Sequence, residues 1–103
     1  MNNLYLIGMP GCGKSTIGAE VGKRLHRLFL DLDQYIEQQE HAAIPEMFEK
    51  GEAYFRDMES KYLRQAASNT GVVVATGGGI VLRQGNVDIM RQSGKIILID
   101  TKP

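Results

Sequence analysis

Four short apolar runs punctuate the chain: LYLI at 4–7, LFL at 28–30, VVVA at 72–75 and IILI at 96–99. Each is bounded by polar or glycine-rich sequence and is too short for a core helix, so each predicts a buried strand. Between the first two, Ile17, Val21 and Leu25 recur at helical spacing, and KRLHR places cations where a helix C-terminus is negative. Pro45 suits the first turn of a short helix running to Lys50, and Phe55, Met58, Tyr62 and Ala66 form the core-facing stripe of a longer helix ending near Ser68. Asn86 reads as the cap of a last helix through Gln92, with Gly94 breaking the pattern before the final strand. Strands alternating with helices predict an α/β fold with a parallel sheet, and no repeat or linker divides the chain.

Composition narrows the partners. A chain of 103 residues, 43% hydrophobic, suits one small domain. Twelve basic and twelve acidic residues cancel, which argues against nucleic acid or an anionic membrane as partner and leaves a small molecule. The single cysteine, Cys12, has no intramolecular disulfide partner, and the sequence has neither a basic leader with a long apolar stretch nor a run long enough to span a bilayer. A reducing cytoplasm is the expected setting.

The first strand runs into LIGMPGCGKST, in which Gly8, four residues, Gly13, Lys14 and Ser15 have the form of a phosphate-binding loop. Backbone N–H groups can wrap a phosphate only where no Cβ obstructs them, a need that Gly8, Gly11 and Gly13 meet. Gly11, Cys12, Gly13, Lys14, Ser15 and Thr16 are therefore the expected nucleotide contacts. The following helix turns its positive end toward the anion, Lys14 reaches the β and γ phosphates, and the Ser15 hydroxyl offers a ligand for Mg²⁺.

FLDLDQYI carries a strand straight into two carboxylates. If the strand continues, Asp31 and Asp33 share a face about 6–7 Å apart, outside the carboxyl end of the sheet where ligands of open parallel sheets bind. One carboxylate would then steer Mg²⁺ and the other would orient an acceptor hydroxyl and take its proton. The plainer alternative makes Asp33 a helix cap and Asp31 a solvated strand end. Asp100, at the end of IILID, is a rival metal ligand of Walker B form.

VVVATGGGIV opens a strand into Gly77, Gly78 and Gly79, more glycine than a bare turn needs, so close approach of a ligand is expected there. In GEAYFRDMESKYL, Arg56 sits at the edge of the apolar stripe, with Glu52 four residues before it and Glu59 three after. Spacing alone favours a surface ion-pair ladder. The functional alternative is a guanidinium fork for a substrate carboxylate, aimed by Glu59.

The loop, the Asp-x-Asp pair, FRDMES and ATGGG, in this order and at these intervals, closely resemble the N-terminal part of shikimate kinase, from about Leu4 to Ile99. The resemblance implies the three-layer P-loop kinase fold of the nucleoside-monophosphate-kinase type and transfer of the γ-phosphate of ATP to the 3-hydroxyl of shikimate, in aromatic amino-acid biosynthesis. By motif, Lys14 and Asp33 would be catalytic, and Asp33, Arg56 and Gly77, Gly78 and Gly79 would bind shikimate. Ser15 and Asp31 would serve Mg²⁺. Glu59 matches the acid that supports the family's arginine, and Phe48 and Phe55 sit where apolar groups flank the substrate ring.

Family members continue past the fourth strand into a lid with an arginine, a fifth strand, a second carboxylate-binding arginine and an adenine-contacting loop. None of these is located in residues 1–103, so the expectation is an incomplete domain. A complete member is expected to be a monomer. A polypeptide of these residues alone is expected to keep affinity for ATP–Mg²⁺, to phosphorylate little shikimate and to expose a sheet edge open to self-association. Two other classes compare less well. A GTP-driven switch needs D-x-x-G and N-K-x-D, which do not occur, and a gluconate or nucleoside-monophosphate kinase leaves Arg56 and the glycine triplet without a role. A non-catalytic nucleotide-binding fragment is the remaining alternative.

Overall fold

Strand β1 (Asn3–Gly8) is paired on both sides, to β3 (Val73–Ala75) with Leu4 opposite Val73 and Leu6 opposite Ala75, and to β4 (Gly94–Ile99) with Asn3 opposite Gly94. β2 (Phe29–Asp31) adds to the far edge of β3, giving an all-parallel sheet in the order β2-β3-β1-β4. The computed structural model describes residues 2–8 and 14–99, and of Lys14, Ser15, Thr16 and Ile99 the backbone alone. The expected contacts Gly11, Cys12 and Gly13, and the rival ligand Asp100, therefore lie outside the described residues.

Sheet order follows from the connections. β1 passes through α1 (Lys14–Arg24) to the edge strand β2, and the chain then returns through α2 (Leu32–Glu40), α3 (Ile44–Glu49) and α4 (Glu52–Ala67) to place β3 between them. From β3 a 3₁₀ turn (Gly78–Leu82) and α5 (Gln84–Ser93) cross β1 to β4. The order reverses between β1 and β3, so their carboxyl ends form the crevice in which ligands of open α/β sheets bind.

The core is the set of side chains the apolar pattern marks. Tyr5, Val74, Phe55, Tyr62, Leu63, Ala66, Ile80 and Met90 are buried in one cluster, with Leu32 and Ile36 of α2 and Met47 of α3. Strands covered on both faces bury successive residues rather than alternate ones, as Val73, Val74 and Ala75 do.

Several expectations move. α2 was not marked by the periodicity, yet Asp31 caps it by accepting from the Gln34 N–H at 3.2 Å, and Leu32 and Ile36 bury its inner face. α5 begins at Gln84, so Asn86 lies inside the helix and buried rather than at its cap. Gly94 starts β4 instead of separating it from α5: its backbone is extended, and a Cβ there would lie 2.0 Å from the Asn3 carbonyl oxygen, so only glycine allows the two strands to begin side by side. Ile17 and Leu25, read as a core face, remain 36% and 49% exposed, and nothing among the described residues explains it. No helix of the described residues is long and apolar enough to cross a membrane.

Candidate active site

The carboxyl ends of β2, β3 and β1 deliver Asp31, the run from Thr76 to Gly79, and Gly8 to one edge of the sheet. Lys14 opens α1, the first helix after β1. Gly78 stands against the end of β1: a Cβ on it would lie 3.0 Å from the Gly8 carbonyl oxygen. The middle glycine of the triplet is thus packed against the end of β1.

The two aspartates do not share a strand face. β2 stops at Asp31 and the chain coils into α2 at Leu32, because the Asp31 carboxylate satisfies a first-turn N–H. Asp31, not Asp33, is the cap. Asp33, in the first turn of α2, instead turns toward the glycines: its Oδ2 lies 3.5 Å from where a Gly77 Cβ would be. Glu59 Oε2 lies 3.8 Å from the same point, so two carboxylates from different helices border Gly77.

Arg56 is not part of a surface ladder. Its side chain is 17% exposed, and Nη1 donates to Glu59 Oε1 at 3.1 Å, a carboxylate only 1% exposed. The contact to exposed Glu52, at 3.7 Å, is looser. The guanidinium presses against Gly79, where a Cβ would fall 2.5 Å from both Nη atoms. Close approach was expected at this glycine from a ligand; the group that fills the space is the protein's own arginine. Phe55 and Phe48 stack at 4.6 Å between centroids and flank Arg56, whose Cζ lies 5.3 and 5.7 Å from their rings. Phe48 stays 39% exposed, leaving an apolar lip beside the charged group.

Among the described residues Arg56 Nε is buried without a hydrogen-bond partner. A buried donor normally has an acceptor, and here the guanidinium carries an unused donor in a crevice rimmed by an aromatic pair. Burial pushes the Glu59 carboxyl above its ordinary range, opposed by the Arg56 hydrogen bond and charge and reinforced by nearby Asp33. The carboxylate of the ion pair is therefore held in a setting that penalises its charge. Such an arrangement suits a planar anion arriving at Arg56, a hydroxyl oriented by Asp33, and polyphosphate on the far side of Gly78.

The family model for shikimate kinase matches residues 10–103. Shikimate kinase of Clostridium botulinum (strain Alaska E43 / Type E3) is 48% identical over 99 residues, covering 96% of this chain and 60% of the relative. That of Sulfurihydrogenibium sp. (strain YO3AOP1) is 40% identical over 101 residues, covering 97% and 61%. Among solved structures, shikimate kinase from Acinetobacter baumannii in complex with shikimate superposes with a TM-score of 0.95 at 38% identity, covering 99% of this chain and 57% of that one. The enzyme from Aquifex aeolicus superposes at 0.91 and 37% identity, covering 97% and 60%. The chain thus spans about 60% of the length of the curated relatives it matches. Agreement in sequence and in backbone course over nearly all of these residues makes the chain a member of the shikimate kinase family.

Proposed function

We propose that the chain forms the phosphate-loop and acceptor-binding part of a kinase that transfers the γ-phosphoryl group of ATP to the 3-hydroxyl of shikimate. The observation that carries this reading is the Arg56 guanidinium, fixed by Glu59, wedged against Gly79 and left with a buried Nε donor. A planar fork of this kind reads a carboxylate, and the apolar lip of Phe48 and Phe55 suits the ring that bears it. A solved relative bound to shikimate supports the same acceptor.

In the reaction the acceptor O–H gives its proton to Asp33 as the oxygen bonds to the γ phosphorus, the bond from that phosphorus to the β–γ bridging oxygen breaks, and ADP leaves. Lys14 and the N–H groups of 11–16 bind and orient the phosphates. Gly77 and Gly78 keep the acceptor pocket open to the phosphate side. Among the described residues no group of three His, Cys, Asp or Glu side chains could hold a metal. Ser15 and Asp31 would hold Mg²⁺ together with nucleotide oxygens and water, as its reluctance to dehydrate favours. Bound there it would neutralise phosphate charge.

The test is ADP release with shikimate, with gluconate and with neither, measured on this chain and on the same sequence continued to its relatives' length. Release that requires shikimate is expected of the continued sequence, and little of it from residues 1–103 alone. Release that gluconate supports equally well, or that ignores the acceptor in both proteins, would contradict the assignment.

A further inference from the structure

Helix α4 supplies Arg56 and Glu59, while the segment after β3 supplies the glycines those side chains press against. One buried side chain spans the two. Asn86, 2% exposed on α5, donates from Nδ2 to the Ile80 carbonyl at 3.0 Å and accepts at Oδ1 from Ser60 Oγ at 2.8 Å. A carbonyl only accepts, so Ile80 fixes which way the amide faces, and the Ser60 hydroxyl is then the donor. Ser60 directly follows Glu59, and Ile80 directly follows Gly79.

We propose that Asn86 is a positioning residue for the acceptor site: by tying Ser60 to Ile80 it fixes the gap in which the Arg56 guanidinium lies against Gly79, and so aims the fork that reads the acceptor carboxylate. The proposal rests on the shikimate reading of this site. The gap has little slack, since the Gly79 Cβ position is only 2.5 Å from the guanidinium nitrogens. Productive contacts need placement within about 0.5 Å, and a misplacement of about 1 Å can cost on the order of 10²-fold. The ion pair from Arg83 to Asp57, at 2.9 Å, joins the same segments, but its side chains are 39% and 65% exposed and contribute little fixity. Asn86 does not bond Arg56 or Glu59 itself; it acts through the Ser60 hydroxyl, next to Glu59, and the Ile80 carbonyl, next to Gly79.

The test titrates shikimate and ATP–Mg²⁺ separately into the labelled chain, following the Arg56 Nε–H resonance by NMR, in Asn86→Ala, Ser60→Ala and Ser93→Ala. Ser93 lies on the same helix but bonds Tyr5, at 2.6 Å, toward the other end of the sheet, so its loss weakens α5 docking without touching the relay. Asn86→Ala is expected to weaken shikimate binding about 10- to 100-fold and Ser60→Ala about 10-fold, with the nucleotide dissociation constant unchanged. Both should shift the Arg56 resonance, whereas Ser93→Ala should alter neither affinity. Ser60→Ala, which deletes one hydroxyl, carries the test if Asn86→Ala fails to fold. Unchanged shikimate affinity in the relay variants, or equal loss of both ligands, overturns the positioning role alone. A wild-type chain that binds ATP–Mg²⁺ but no shikimate overturns the acceptor assignment, and the proposal with it.

Discussion

Glu59 sits where burial disfavours a charge. Its side chain is 1% exposed, and desolvation raises its pKa above the ordinary 4.5 despite the Arg56 guanidinium at 3.1 Å. The folded chain therefore keeps this proton to higher pH than the unfolded chain does. Glu59's contribution to stability is fully present below the unfolded value and is lost as pH rises through the raised folded value. Urea unfolding across that range, comparing the wild type with Glu59→Gln, should show the stability difference moving against the wild type as pH rises above about 4.5. A flat difference, or one moving the other way, would mean that Arg56 rather than desolvation governs this carboxylate. The same residue was legible in the sequence only as the partner of Arg56, because spacing reports a shared helix face and says nothing about the segment after β3 that borders it.

At the scale of elements, the site depends on how α2, bearing Asp33, sits against α4, bearing Arg56 and Glu59. Tyr62 on α4 donates to the Glu40 carboxylate at the end of α2, which pushes its pKa up to about 12. Tyr35 of α2 meets the Tyr62 ring edge-on at 5.6 Å and bonds Gln65. Removing the hydroxyl in Tyr62→Phe is expected to cost about 1.5–3 kcal/mol, the range for hydrogen bonds to charged groups, with an unchanged denaturant slope. The wild-type advantage should vanish as pH rises from 10 through about 12, since the raised pKa makes the bond one that deprotonation removes. Stability equal to wild type at neutral pH would show that ring packing alone joins the helices. The sequence marked α4 and α3 well, from a stripe and a proline, yet α2 escaped. FLDLDQYI reads as strand or as capped helix, and the choice turns on whether Asp31 bonds a strand neighbour or the Gln34 N–H, a competition that periodicity does not register. Asn86 was misplaced for a related reason: it has the chemistry of a cap, but its amide is spent on Ser60 and Ile80.

For the whole molecule, the sheet order β2-β3-β1-β4 brings together groups from residue 8 to residue 79, and no local pattern states that order. The strands were legible because buried parallel strands are apolar on both faces; their neighbours were not, because pairing is decided by which crossovers cover the sheet. The proposed site was legible as residues, through the resemblance of four ordered motifs, and not as geometry: the strand-sharing aspartates and the open glycine pocket gave way to a capping Asp31 and an arginine-filled Gly79. The central claim is that this arginine reads the carboxylate of shikimate. Calorimetry of shikimate and of ATP–Mg²⁺ with wild type, Arg56→Lys and Arg56→Ala tests it most directly. The account predicts shikimate binding weakened about 10-fold or more in both variants, since a point charge does not reproduce the planar fork, with nucleotide affinity unchanged. Shikimate affinity equal to wild type in both would contradict it.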